Sequence, residues 1–409
     1  MTTEQKSFKK GYKYRIYPNE QQKELISKTF GCCRYLWNTV LSDTNKEHQA
    51  YILAKENNTL DQEIPSPNVS GNALCLRVPK YRSNPESLWL NEVSSVALQQ
   101  TMISLGNAYD NYFKSLKTVR KGRFGRPKFK KKNEHQSFRL MKTAFRIKDN
   151  QLYIAKSDEP IQVLWSRELP SEPSSLSITQ TPTGEYFVSF VCEYTPPKTS
   201  GTEHIGIDVG LTNYATLSNG EIIDNPKWFK QRLQSLRRAQ RSLSRKKKSS
   251  SNYNKQRIKV AKLHKRIIDS RHDWQHKVTR TLVNKSHVIG VEGLKVANMI
   301  QNRRLSRGII DAAWTSFFTK LKYKVEESQH ATLIYMSSYF PSSHICSVTG
   351  QRLEKKLKLS ERFWNCPYCG NVHNRDLNAA VNIENKALEL YYDVVSSKDL
   401  SGQVYVISG

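Results

Sequence analysis

The sequence predicts a mixed α/β chain of several domains. Three observations carry that expectation. The 409 residues are enough for two to four domains with sizeable buried cores. From His204 onward, short apolar strands alternate with long helical stretches, the order that gives an α/β sheet. Before that point, one alternating aromatic strand and a later run of strands flank a mostly helical stretch. A small β domain split by a helical insertion is the expected result.

Residues 8–17 (FKKGYKYRIY) alternate and read as a strand. Pro18 and Asn19 then open a helix in which Leu25, Phe30, Cys33 and Trp37 recur at helical spacing. Cys32 and Cys33 are expected to pack there rather than to bind a ligand. Residues 58–87 carry loop signals, and a second helix over roughly 92–119 follows, with Val96, Leu98, Met102, Leu105, Tyr109 and Phe113. RKGRFGRPKFKKK (120–132) suits contact with phosphates better than a packed core, and nominates Arg123, Arg126, Lys128 and Lys130. Residues 136–195 read as strands, with a hairpin around PTGE. PPKTSGT (196–202) reads as a linker.

HIGIDVG is an apolar strand ending in a turn, and LTNYATLSNGEIIDN is a hairpin with Asn-Gly at its tip. A basic helical region runs from about Pro226 to Lys285. SHVIGVEGL is a strand, Trp314–Gln329 a helix, ATLIYMSSYF a strand, and NRDLNAAVNIENKALELYY a helix. The tail, 396–409, carries no usable pattern and is expected to be disordered.

Lys and Arg number 65 against 36 Asp and Glu, a formal net charge of +29. That excess points to a polyanionic partner, because basic side chains on phosphates release condensed counterions. A solvated basic surface is the plainer alternative. No apolar run reaches the ~18 residues of a spanning helix, so no membrane role is expected. The opening MTTEQKSFKKGYKYRIYP lacks a signal-peptide core. Clustered cysteines in an odd total of seven suggest metal rather than disulfides. A cytoplasmic, nucleoid-associated protein is the expectation.

Asp208 and Glu292 each end an otherwise apolar strand. An acid there is costly unless it is paired or bound to a cation. Asp376 opens a helix, where alone it would be an ordinary dipole partner. The order strand–acid, two strands, helix, strand–acid, helix, strand, helix–acid is the layout of the ribonuclease H-like nuclease fold. In that fold the carboxylates converge on two metal ions about 4 Å apart that activate water. Oxygen ligands suit Mg²⁺ or Mn²⁺.

At these residues the sequence resembles a known family. HIGIDVGLTNYATLSNG, VIGVEGLKVANM and NCPYCGNVHNRDLNAAVNI resemble the three RuvC motifs of TnpB, the RNA-guided nuclease of bacterial insertion sequences. YKYRIYPNEQQKELISKTFGCCRYLWN and YFPSSHICS are similar to its opening and to its zinc-ribbon lead-in, so the likeness covers about residues 8–385. The resemblance implies a wedge-like β-barrel domain (1–18 and 120–197) split by a helical recognition lobe (19–119). It also implies a RuvC nuclease domain (203–340 and 374–395) carrying a zinc-ribbon insert (341–373). Asp208, Glu292 and Asp376 would be its catalytic, metal-binding residues. Its partners would be a guide RNA from the element's own end and double-stranded DNA beside a short adjacent motif, with the protein a monomer on its RNA. Base pairing would read the sequence, and the protein would hold backbones. Arg237, Arg238, Arg241, Arg245 and Lys246, with Arg303 and Arg304, would line a basic channel, and Gln99 would lie near the adjacent motif. A compact type V CRISPR effector shares every motif, a guided regulator without cleavage would not need the intact acids, and a transposase is a further use of the same core.

The family's ribbon is CxxC…CxxC. Here Cys346, Cys366 and Cys369 are present, and Thr349 stands in the fourth position. A threonine hydroxyl is a poor zinc ligand, and structural sites are normally closed with four donors. Three readings stand: His344 or His373 completes the site, three thiolates and a water hold zinc weakly, or the insert folds without zinc.

Overall fold

The computed structural model describes residues 7–56, 66–117, 124–132, 135–197, 199–355, 357–358, 360–396 and 404–406. Arg123 and most of the tail lie outside the described residues. The chain divides into two compact units between Thr195 and Pro196, at the start of the expected linker.

The first unit opens with β1 (Phe8–Tyr17) and α1 (Glu20–Glu56). The short helices α2 (Gly71–Cys75) and α3 (Val78–Ser83) and a 3₁₀ segment, Pro85–Glu92, precede α4 (Ser95–Lys117). Then come β2 (Gln136–Met141), β3 (Phe145–Lys148), β4 (Gln151–Ile154), β5 (Gln162–Leu164), β6 (Ser175–Gln180) and β7 (Tyr186–Tyr194). Asn19 starts α1 as a reciprocal cap. Its side chain accepts the Gln22 amide at 2.8 Å, and Gln22 Oε1 accepts the Asn19 amide at 3.0 Å.

The strands form an antiparallel sheet in the order β2-β6-β7-β1-β5. β3 and β4 make a hairpin, and Leu152 of β4 bridges to Ile161 beside β5. Since β2 runs almost directly into β3, pairing and chain continuity together trace a closed circuit. Tyr12, Tyr14 and Ile16 point into a core shared with Phe30, Cys33 and Leu36 of α1 and Leu98 and Met102 of α4. Helices and strands therefore share one core, and 19–119 is not a separately packed body. Cys32 and Cys33 are packing residues, as expected, and burial pushes the Cys33 thiol up to about 11.

The second unit runs β8 (Glu203–Val209), β9 (Asn213–Leu217), β10 (Ile222–Asp224), α5 (Trp228–Ser244), α6 (Ser251–Lys285) and β11 (Ser286–Val291). It continues with α7 (Val296–Met299), α8 (Ser306–Ala312), α9 (Trp314–Ser328), β12 (Thr332–Tyr335), β13 (Phe363–Asn365), β14 (Val372–Asn374), α10 (Arg375–Ser396) and β15 (Val404–Val406). The expected single basic helical region is two helices, parted by the turn before Ser250, whose side chain caps α6.

Six strands form one mixed sheet, β10-β9-β8-β11-β12-β15. β11 runs parallel to both β8 and β12, and β8 pairs antiparallel with β9. Side chains alternate across the sheet. Ile205, Ile207, Ile289 and Val291 face a core with Val283, Phe317, Leu321 and Val325 of α6 and α9. Val288 and Ile334 face the other way, against Ile383 and Ala387 of α10. The tail departs from expectation. Its residues 404–406 add a parallel edge strand, with Leu333 opposite Val404.

Candidate functional site

In the β8–β11 register, Gly206 lies opposite Gly290 and Ile207 opposite Val291. One residue further on stand Asp208 and Glu292, at the carboxyl ends of neighbouring parallel strands. The two glycines share their face of the sheet, and that is where α10 lies. A Cβ on Gly206 would sit 2.0 Å from the Ala380 carbonyl oxygen, and one on Gly290 would sit 2.8 Å from the Ala387 Cβ. The helix backbone thus rests directly on a side-chain-free patch. One turn before Ala380 is Asp376, which this seating delivers to the other two acids.

Asn374 caps α10 by accepting the amides of Asp376 and Leu377 at 3.0 and 3.1 Å. Ser342 Oγ donates to Glu292 Oε1 at 3.0 Å. Asn382 donates to the carbonyls of Ser342 and Ile345 at 2.8 and 2.7 Å, so α10 also fixes the loop that orients Glu292. Arg362 places one guanidinium nitrogen 3.1 Å from both oxygens of Asp376. The sequence nominates the three acids but not Ser342, Asn382 or Arg362, which the structure places against them or their supporting loop. The buried i, i+4 pair Asn378 and Asn382 was the available signal.

Burial pushes the Asp208 carboxyl well above its usual range, and the charges of Glu292 and Asp376 push the same way, against Arg375 and Arg362. Burial also raises Glu292, against the Ser342 hydrogen bond. Oxygen donors whose negative charge is only partly offset by Arg362 and Arg375 fit a hard divalent cation. A folded-state value raised above the unfolded one gives stability that is present at low pH and lost as pH rises through the interval. In EDTA, Asp208→Asn is therefore expected to melt higher than the parent at pH 7, with the gap closing toward pH 4. Equal melting temperatures across that range would contradict the electrostatic account.

The second cluster is the ribbon. Cys346, Cys366, Cys369 and His373 bring four donor atoms within 4.8 Å of one another. Cys346 Sγ lies 3.6 Å from Cys369 Sγ and 3.4 Å from His373 Nε2. Such edges suit a tetrahedral ion with Zn–S near 2.3 Å and Zn–N near 2.0 Å. The site expected to be incomplete therefore has four donors, and His344 is not among them.

Both knuckles keep the same turn. Gly350 and Gly370 have φ of +70° and +72°, and their amides donate to the carbonyls of Cys346 and Cys366 at 2.8 and 2.9 Å. Burial pushes the Cys346 thiol up, but the Thr349 hydroxyl and amide, the Val348 amide and Cys366 outweigh it and bring it to about 6. Thr349 thus favours the thiolate form of Cys346. His373 stacks on Trp364 across the β13–β14 hairpin, with centroids 4.7 Å apart. It stands three residues before Asp376, which ties the ribbon to the start of α10.

The nominated basic residues are scattered. Gln99 is exposed on α4, and Arg126 reaches the Tyr112 hydroxyl at 3.2 Å. The carbonyls of Lys128 and Lys130 accept from Trp37 and Asn38, which lays the basic segment along α1. Arg237, Arg238, Arg241 and Arg245 are exposed on or just after α5, Lys246 is half-buried, and Arg303 and Arg304 are exposed before α8.

Comparison with known proteins places these features in a family. Residues 187–303 match the OrfB family of IS605 elements, described as a probable transposase. Residues 314–383 match a Cas12f1-like TNB domain. Residues 8–52 match a helix-turn-helix domain, although here they fold as one strand and one continuous helix. A relative from Streptomyces pristinaespiralis, named "Putative RNA-guided DNA endonuclease", is 38% identical over 92% of this chain and 88% of its own length. InsQ of Escherichia coli K12, of the same description, is 28% identical over 91% of this chain and 90% of its own. The solved Cas12f1–sgRNA–target DNA complex superposes with a TM-score of 0.48 at 13% identity, over 93% of this chain and 99% of that one.

Proposed function

The chain belongs to the OrfB/TnpB family of IS605-type elements, whose relatives carry the name RNA-guided DNA endonuclease, and on that premise we propose how its residues perform guided DNA cleavage. The observation that carries the reading is the meeting of Asp208, Glu292 and Asp376 through the glycine seat of α10. We assign the mixed sheet to a RuvC-type, ribonuclease H-like core, and the closed strand circuit of the first unit to the wedge barrel. The partners are a guide RNA and double-stranded DNA.

Divalent cations bound at the three carboxylates, Mg²⁺ or Mn²⁺, would activate water and stabilise the leaving oxygen. The residues do the positioning. Asp208 and Glu292 present oxygens from rigid strand ends, which hold a site more tightly than loops. Ser342 engages Oε1 of Glu292 and so fixes the carboxylate plane. Arg362 partly neutralises Asp376 and must share that carboxylate with an arriving cation.

The ribbon cluster is assigned to Zn²⁺ held by three thiolates and one imidazole. His373→Ala is expected to lower bound zinc from one per chain to well below one half. Thr349→Cys in that background should restore it, because the first knuckle keeps its turn. Zinc content by elemental analysis decides this, and full zinc in His373→Ala alone would rule out the assignment.

Cleavage itself is tested with the protein co-purified with RNA from its own locus. The substrate is a guide-matched plasmid with randomised flanks. Cutting with Mg²⁺, none with EDTA, and restriction to one flank is the expected outcome. Retained binding without cutting would favour a regulator.

A further inference from the structure

A cleft of about 500 Å³ lies in the second unit between residues 225–233 and 303–311. Five cations line it: Lys227, Lys230, Arg303, Arg304 and Arg307. None of the five makes a salt bridge among the described residues. The sole acid in the lining, Asp311, is already engaged. Its oxygens accept the amides of Phe229 and Lys230 at 2.9 and 3.3 Å, and Arg271 stands 4.0 Å away. The cleft is therefore a concentrated, uncompensated positive pocket. Such a site raises the local concentration of anions and favours phosphates, which arginine forks engage with two hydrogen bonds.

Leu211, in the cleft wall, is three residues past Asp208, in the turn between β8 and β9, so at most about 10 Å separates them along the chain. Asn225 holds the Leu211 carbonyl at 3.0 Å, and Leu211 packs 3.4 Å from where a Cβ on Gly308 would stand. The turn that follows the acid of β8 is thus held in the cleft wall.

We propose that this cleft is a phosphate-binding subsite that holds the DNA strand as it approaches the three carboxylates. The inference rests on the nuclease reading above for its direction, but its binding test does not need cutting. Arg303 and Arg304 become members of a five-residue site, and Lys227, Lys230 and Arg307 join them.

The test uses the full chain purified with its RNA, carrying Asp208→Asn so that binding is read alone. The probe is a labelled, guide-matched DNA duplex over a salt series. Arg304→Gln/Arg307→Gln should weaken binding about tenfold and make the salt dependence shallower by about 1.5, near 0.7–0.9 per lost phosphate contact. Lys230→Gln should give about half that change in slope. Lys322→Gln, which removes an exposed cation on α9 outside the cleft, should leave the slope unaltered. Cleft variants that behave like Lys322→Gln overturn the proposal. Loss of RNA from the cleft variants, with DNA binding intact in what remains, also overturns it and assigns the cleft to the guide. If the parent binds with the expected slopes but never cuts, the nuclease reading fails while the subsite stands.

Discussion

Asp208→Ala is expected to abolish DNA cutting, by at least about 10³-fold, which corresponds to ~4 kcal/mol of lost transition-state stabilisation. Target binding by the RNA complex should remain within about twofold. The reason is the position of the side chain. Asp208 ends a strand beside Glu292 and faces Asp376, and burial together with those two charges raises its carboxyl. Removing it takes one oxygen donor from the proposed metal site and leaves every basic side chain in place. Loss of that donor cannot be made good by Glu292 and Asp376, since divalent cations at such sites need several oxygen ligands in fixed places. Binding is read by gel shift and cutting by single-turnover kinetics. Substantial residual cutting would mean that the chemistry lies elsewhere.

Gly206→Ala should have the largest effect of any change that touches no acid. The added methyl would meet the Ala380 carbonyl at 2.0 Å and the Glu384 amide nitrogen at 2.6 Å, both backbone atoms of α10. Neither can rotate away, so the helix must lift. Overpacking of this kind costs roughly 1–3 kcal/mol or more. The first turn of the same helix carries Asp376, so cutting should fall with stability, by about 10²-fold, since small misplacements at a reacting centre are severe. Gly11→Ala is the control, because nothing lies within 4 Å of a Cβ there. It should be nearly silent in melting temperature. A Gly206→Ala protein with parental stability and cutting would show that α10 does not depend on the glycine seat.

The acids were legible in the sequence because a carboxylate ending an apolar strand is a local anomaly. Strand and helix order then predicted their meeting. What brings Asp376 to the strands was not legible. Nothing local marks Gly206 and Gly290, and only the parallel register puts them side by side under α10. The fourth ribbon donor was readable only as one alternative of three, since His373 lies outside the knuckle spacing and Thr349 sits inside it. The structure chooses His373 because the β13–β14 pairing turns it toward the cysteines. The edge strand at 404–406 escaped notice, as a three-residue parallel pairing leaves almost no local pattern. The basic residues were found by composition, but charge alone did not distinguish the clustered pair Arg303 and Arg304 from the dispersed arginines of α5.

RNA carried by this protein is expected to direct where it cuts. The most direct measurement replaces the guide segment of the co-purified RNA with two unrelated sequences. Each complex is offered both matching plasmids, with the same flanking DNA, in Mg²⁺. Each complex should cut only its own match, and neither should cut when Asp208 is replaced by alanine. Cutting of both plasmids by both complexes, or cutting without RNA, would contradict that expectation.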